Sequence, residues 1–153
     1  METTSDIPRV GRVLALDWGA ARIGIAVSDP TQMLATPHST LHTKDKGRQV
    51  REAVALAKHL DVVGVVVGLP LHLDGELGDS ARTSRKYAEQ IARHSGLPIV
   101  MVDERFSSVA AAEMLRRGGA QRRRRGESLQ AWKGRVDAAA AAVVLQDWLD
   151  ERR

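Results

Sequence analysis

The sequence of 153 residues contains no cysteine, which excludes disulfides, thiolate zinc sites and cysteine nucleophiles. Any metal that the chain binds must therefore be held by oxygen or imidazole ligands. Long apolar runs are also missing. No segment approaches the length that crosses a bilayer, and residues 1–9 lack the apolar stretch of a secretion signal. We therefore expect a cytoplasmic protein without membrane contacts.

Aromatic side chains are scarce, with three tryptophans, one tyrosine and one phenylalanine in the chain. Few bases could stack on so small a set. Any recognition of nucleic acid would therefore depend on backbone charge and shape more than on base contacts.

Positive charge is unevenly distributed along a chain whose formal net charge is +4. One short stretch holds a cluster of arginines: Arg116, Arg117, Arg122, Arg123, Arg124 and Arg125. Such a cluster is typical of proteins that bind polyanions, and it predicts a nucleic-acid partner. The alternative is a solvated loop, since runs of charge are often only that.

The chain length suits one compact domain, which we expect over residues 11–150 after a flexible tail at residues 1–10. Two apolar runs within Gly11–Asp29, separated by a Gly-Ala-Ala break, predict a β-hairpin. A third strand is predicted at Leu34–His42, where Pro37 favours an edge position because it cannot donate a ladder hydrogen bond.

The rest of the chain alternates helical and extended patterns. Asp61–Gly68 is a continuous β-branched run ended by glycine, which is typical of a central strand buried on both faces in a parallel arrangement. The other predicted elements are helices at Lys46–His59, Ser80–His94 and Leu129–Leu149, a helix from Ser107 or Ser108 to Gly118, and a strand at Ile99–Val102. Together they predict an α/β fold with a mixed five-stranded sheet, antiparallel over its first three strands and then parallel, flanked by helices.

Two acidic residues follow apolar strands, where a carboxylate is costly unless it is paired, hydrogen-bonded or bound to metal. Asp17 ends the run Val13–Leu16, and Glu104 follows the strand Ile99–Val102. The neighbouring Asp103 must point to the opposite side of its strand from Glu104, so only one of the two can face Asp17. Spacing alone does not choose between them. Turn hydrogen bonding by Asp17 and a surface salt bridge around Glu104 are the alternatives.

A third acid, Asp137, lies on the predicted last helix. It shares a helix face with the apolar stripe of residues 141–148, which predicts a buried carboxylate. The alternative is that Asp137 caps a helix beginning at Ala138. Two strand-end acids and one helix acid on one side of a sheet would form a carboxylate cluster, and such hard oxygen ligands suit Mg²⁺ or Mn²⁺.

Four segments carry a family resemblance: Leu16–Asp29, Val67–Leu71 with Asp74-Gly75, Asp103–Ser108 and Val136–Ala140. In sequence and order they resemble the motifs of the YqgF/RuvX family. Members of this family are bacterial proteins with an RNase H-like fold that are described as Holliday junction resolvases and pre-16S rRNA nucleases. The resemblance spans nearly the whole chain, from about Gly11 to Leu149.

The resemblance implies a nuclease in which Asp17, Glu104 and Asp137 are catalytic and bind Mg²⁺ or Mn²⁺. It selects Glu104 over Asp103 by analogy and leaves Asp103 to orient a ligand. The residues expected near nucleic-acid phosphates are Arg22, Arg105, Ser107 and Ser108. The prediction that the arginine cluster is an additional clamp depends on its charge and not on the resemblance. The implied substrate is either a four-way DNA junction, which favours a homodimer, or precursor 16S rRNA, which needs no symmetry.

Two other functions compete with a nuclease. An Asp-x-Gly hairpin also resembles the phosphate loop of actin-like ATPases, but those proteins bind nucleotide between two domains and this chain lacks a second copy. A nucleic-acid-binding module without catalysis would keep the same fold. The complete set of three acids argues against it, and metal-dependent cleavage would exclude it.

Overall fold

The computed structural model describes residues 6–18, 22–69, 78–103 and 123–153. The described strands are β1 (Val13–Trp18), β2 (Arg22–Ser28), β3 (Ala35–His42), β4 (Gly64–Leu69) and β5 (Ile99–Asp103). The described helices are α1 (Lys46–His59), α2 (Gly78–Ser95) and α3 (Leu129–Glu151). None of these three helices is long and apolar enough to cross a bilayer. The helix predicted after Ser107 or Ser108 lies outside the described residues.

The five described strands form one sheet in the order β3-β2-β1-β4-β5. β2 is antiparallel to β1 and β3, whereas β4 is parallel to β1 and β5. This topology confirms the mixed sheet expected from the sequence. Val65–Val67 of β4 are at most 1% exposed, as expected of a central strand. Pro37 lies on the edge strand β3, opposite Ala26 and beside a register irregularity, so its missing N–H interrupts no central ladder.

Helices cover both faces of the sheet. Leu14 and Leu16 of β1 belong to the core formed with α1 and α2. Val13 and Ala15 belong to the core formed with α3 on the opposite face. Because successive side chains of a strand point to opposite faces, this alternation directs Asp17 toward α3.

The alanine-rich helix α3 packs closely on the antiparallel half of the sheet. It begins after the N-cap Ser128, whose hydroxyl oxygen accepts a hydrogen bond from the backbone N–H of Ala131. A Cβ built at Gly24 of β2 would lie 2.0 Å from the carbonyl oxygen of Asp137. Only glycine therefore lets the α3 backbone approach β2 at this point.

Part of the segment predicted as a tail lies against the sheet. Ile7 is 2% exposed, and a Cβ built at Gly64 would lie 2.5 Å from its Cγ1 atom. The Arg152 guanidinium donates hydrogen bonds to the carbonyl oxygen of Ile7 and to Oε1 of Gln32, and it stacks over the Trp148 ring. The beginning and the end of the described chain are thereby held together.

Candidate active site

An open cleft of about 780 Å³ lies where β1 ends. Its walls come from β1 and β2, from the segment around the end of β3 and from the first turns of α3. The residues that line it are Asp17, Trp18, Arg22, His42, Thr43, Lys44, Leu129, Gln130, Lys133 and Asp137. Two of the three predicted acids therefore meet in one cleft, together with several cationic side chains.

Asp17 lies near the end of β1, and its neighbours on both adjacent strands are glycines. Its partner on β2 is Gly24, and its partner on β4 is Gly68. Laterally paired residues point to the same face of a sheet. The space on either side of the Asp17 carboxylate is consequently free of side chains from these two positions. On the β2 side, the backbone of α3 fills this space.

Asp137 reaches the cleft from α3. The helix already begins at Leu129, so the interpretation of Asp137 as the cap of a helix starting at Ala138 is wrong. The Asp137 side chain is 26% exposed, and its backbone carbonyl rests against Gly24. The same glycine that flanks Asp17 therefore seats the second carboxylate.

The electrostatic surroundings of Asp137 favour a cation. Burial raises the pKa of the Asp137 carboxyl, the charge of Arg22 opposes this effect, and the charge of Asp17 adds to it. Since the net change in pKa is upward, the ionised form is only partly compensated. Oδ2 of Asp137 is buried and accepts no hydrogen bond of normal geometry from the described part of the chain, although Nε of Arg22 lies 2.8 Å away.

Arg22, predicted from the resemblance to lie near a phosphate, faces Asp137 in the structure. Its side chain is 37% exposed and lines the cleft. A guanidinium in this position partly neutralises the carboxylates. Because its donors form a planar fork, it can also donate hydrogen bonds to a phosphate oxygen.

Sequence reasoning missed several residues of the cleft: Trp18, His42, Thr43, Lys44, Leu129, Gln130 and Lys133. Lys133 could have been found, since it precedes Asp137 by about one helical turn and shares its face. His42 and Lys44 carry no such signal. Their position depends on how the end of β3 meets α3, where a Cβ built at Gly134 would lie 3.2 Å from Nε2 of His42.

Other predicted site residues lie outside the described residues: Glu104, Arg105, Ser107, Ser108, Arg116, Arg117 and Arg122. β5 ends at Asp103, directly before Glu104. In the ranges that the structure describes, no three histidine, aspartate or glutamate side chains are arranged to hold a metal ion. The cluster of three acids therefore stays a prediction. Arg123, Arg124 and Arg125 are exposed and are not among the residues that line the cleft.

The sheet order and the helices on both faces define an RNase H-like fold. The chain is similar to Thermus thermophilus RuvC in complex with a Holliday junction, with a TM-score of 0.59 and 16% identity over 93% of this chain and 95% of that one. It is also similar to the yeast mitochondrial Holliday junction resolvase, with a TM-score of 0.56 and 13% identity over 95% of this chain and 80% of that one. At these identities the likeness establishes the fold.

The chain belongs to the RuvX family, described as Holliday junction resolvase, whose family model matches residues 11–151. Two similar relatives are each named "Putative pre-16S rRNA nuclease". The Mycobacterium tuberculosis protein is 42% identical over 146 residues, which are 95% of this chain and 82% of that protein. The protein of an Anaeromyxobacter species is 42% identical over 141 residues, which are 92% of this chain and 98% of that protein. Membership of the YqgF/RuvX family, indicated by the four sequence motifs, is thereby confirmed.

Proposed function

We propose that this protein is a metal-dependent nuclease that hydrolyses phosphodiester bonds in structured nucleic acid. The observation that carries the proposal is the meeting of Asp17 and Asp137, from the central strand and the last helix, in one open cleft lined by cations. The description of the family and the names of the relatives support a nuclease. A role in rRNA processing or recombination would be carried out in the cytoplasm.

The proposed metal ligands are Asp17, Glu104 and Asp137. The buried Oδ2 of Asp137 pairs with Nε of Arg22 at 2.8 Å but accepts no hydrogen bond of normal geometry within the described ranges, and a carboxylate oxygen of this kind suits a hard cation. On the β4 side of Asp17, the paired residue is Gly68, which adds no side chain beside the carboxylate. For Glu104 the support comes from strand periodicity: Val100 and Val102 of β5 pack against the core under α3, and an extended chain would place residue 104 on the same face.

Asp17, Glu104 and Asp137 would hold Mg²⁺ or Mn²⁺, which would supply activation of a water and stabilisation of negative charge on phosphate oxygens. The protein contributes the carboxylates of Asp17 and Asp137, held on two rigid elements. Arg22 adds positive charge at the cleft edge, where it can orient a phosphate. Hydrolysis forms one bond from the water oxygen to phosphorus and breaks one phosphorus–oxygen ester bond, so no side-chain nucleophile is needed.

Two substrates remain in the proposal: four-way DNA junctions and the 5′ end of precursor 16S rRNA. The family description supports the first, and the names of the relatives support the second. A junction would be cut symmetrically by a homodimer, whereas the RNA would not require one. In either case we propose that Arg105, Ser107, Ser108 and the arginine cluster contact phosphates.

The test compares the wild type with Asp17→Asn on labelled four-way junctions, duplex DNA and a precursor 16S rRNA fragment, each with Mg²⁺, Mn²⁺ or EDTA. We expect cleavage of the junction or the RNA that requires metal and is lost in Asp17→Asn. Asp61→Asn is the matched control, because Asp61 is exposed and has a φ of 53° that asparagine tolerates. Salt-sensitive binding without cleavage under any metal would overturn the nuclease and favour a binding module.

A further inference from the structure

Two lysines line the cleft without an acidic partner in the described part of the chain. Lys44 follows β3, and Lys133 lies in the second turn of α3. The ion pairs of the described residues join Arg22 to Asp137, Arg48 to Glu52, Arg135 to Glu127 and Arg153 to Asp150. Neither lysine takes part in them. The proposed metal site does not use these two cations, which line its cleft without forming an ion pair within the described residues.

The segment that presents Lys44 is fixed by a buried polar network. Gln49 of α1 is 1% exposed, and its Nε2 donates to the carbonyl oxygen of Thr43 over 2.6 Å. Its Oε1 accepts a hydrogen bond from the hydroxyl of Tyr87, which is 4% exposed. Asp45 then caps α1 by accepting from the backbone N–H of Arg48. The backbone on both sides of Lys44 is therefore held in place.

The position of Lys133 is fixed equally well. It precedes Asp137 by four residues, so the two side chains lie on one face of α3. The next residue, Gly134, packs against the end of β3, where the Thr40 hydroxyl donates to its carbonyl oxygen and His42 lies beside it. The first turn of α3 carries no acidic residue that could pair with Lys133.

We propose that Lys44 and Lys133 form a second phosphate-binding position, which holds a non-scissile phosphodiester group of the substrate backbone next to the acid pair. This proposal rests on the proposed nuclease function and names the residues that position its substrate. A phosphate would give both lysines the negatively charged partner that the described part of the chain does not provide. Since the lysines act as point charges on backbone phosphates, they contribute to affinity on DNA and RNA alike and carry no base preference.

The test is the double variant Lys44→Gln/Lys133→Gln, compared with Lys58→Gln/Lys86→Gln. The control lysines are exposed on α1 and α2 and do not line the cleft. Binding is measured by fluorescence anisotropy in EDTA, so that no cleavage occurs, with a labelled four-way DNA junction and a labelled precursor 16S rRNA fragment. Potassium chloride is varied from about 50 to about 200 mM.

We expect Lys44→Gln/Lys133→Gln, the cleft variant, to bind whichever probe the wild type binds more tightly about tenfold more weakly at low salt. The slope of log affinity against log salt concentration should decrease by about 1 for each lysine removed. The control variant should keep the wild-type slope. Thermal unfolding midpoints of both variants should match the wild type, because only exposed side chains are changed. In the cleavage assay the cleft variant should show a raised KM and an unchanged kcat.

An unchanged affinity and slope in the cleft variant would overturn this proposal while leaving the nuclease intact, as would a loss confined to the control pair. Failure of the nuclease proposal alone would give a different result. If no metal supports cleavage but the cleft lysines still govern binding in EDTA, the nuclease fails and the phosphate-binding position stands.

Discussion

Among single residues, Asp137 carries a charge that its surroundings disfavour. Its carboxylate is partly buried, it shares the cleft with Asp17, and Arg22 offsets only part of the penalty. When folding raises the pKa of a carboxyl group, the unfolding free energy of the protein decreases as the pH rises. The decrease occurs between the pKa of the group in the unfolded state and its pKa in the folded state. The penalty therefore grows as the pH rises through that interval.

Asp137→Asn should therefore stabilise the protein while abolishing cleavage. We expect the melting temperature at pH 7 to rise by roughly 2–4 °C, the change that about 1 kcal/mol produces in a chain of this length. Calorimetry with and without Mg²⁺ provides the measurement. Mg²⁺ should raise the melting temperature of the wild type but not of the variant. A lower melting temperature for the variant in EDTA would contradict this account of Asp137.

At the scale of elements, α3 is seated on the sheet through two glycines in different surroundings. A Cβ at Gly24 would meet the backbone carbonyl of Asp137 at 2.0 Å, whereas one at Gly134 would meet Nε2 of His42 at 3.2 Å. Backbone of a packed helix cannot yield, but the end of a partly exposed side chain can. The first contact is therefore far less tolerant than the second.

Gly24→Ala and Gly134→Ala should consequently have different effects on the unfolding free energy. Gly24→Ala forces α3 away from β2, and we expect a loss of about 1–3 kcal/mol in unfolding free energy together with weakened metal-dependent cleavage. Gly134→Ala should be neutral or stabilising by up to about 1 kcal/mol, because alanine is the better residue inside a helix. Urea unfolding of the two variants decides the matter, and equal losses would refute the argument.

The turn between β2 and β3 is organised by one carboxylate. Asp29 accepts hydrogen bonds from the Thr31 hydroxyl and from the backbone N–H groups of Thr31, Met33 and Leu34. These bonds, the Thr31 hydroxyl foremost, lower the pKa of Asp29 to about 2 from an ordinary value of 3.8. The stability that they provide is present above the ordinary pKa and is lost as the pH falls through the folded-state value.

Asp29→Asn should remove this part of the acid sensitivity. Between about pH 4 and about pH 2, the unfolding free energy of the wild type should decrease more steeply than that of the variant. Urea titrations followed by circular dichroism at several pH values give the two slopes. Parallel slopes would mean that the Asp29 bonds do not persist in solution.

At the scale of the whole molecule, the helices and strands could be predicted from local sequence patterns, but the arrangement of the cleft could not. The helix Lys46–His59 and the buried strand β4 were predictable because their periodicity lies within each segment. Asp137 was recognised because its helix face is apolar. The contact of Arg22 with Asp137 and the place of Lys44 were not predictable, since both depend on the strand register and on how closely α3 approaches β2 and β3.

The hydrogen bonds of Arg152 also act on the whole molecule, because they join residues near the beginning and the end of the described chain. Arg152→Ala would leave the carbonyl of Ile7 and the amide of Gln32 without their guanidinium donor. We expect a loss of about 1–3 kcal/mol in unfolding free energy, with faster amide exchange in residues 7–12. Arg125→Ala, a change at an exposed position, is the matched control and should stay within about 0.5 kcal/mol of the wild type. If both variants lost the same unfolding free energy, the hydrogen bonds of Arg152 would not be a source of stability.

The two cleft carboxylates stand near opposite ends of the chain, on the first strand and the last helix. A divalent cation held by both would join residues 17 and 137 and close a loop over most of the polypeptide. Such a cross-link restricts the unfolded chain in the way that a long-range disulfide does. In a sequence with no cysteine, a chelator would then act on this protein as a reducing agent acts on a secreted one.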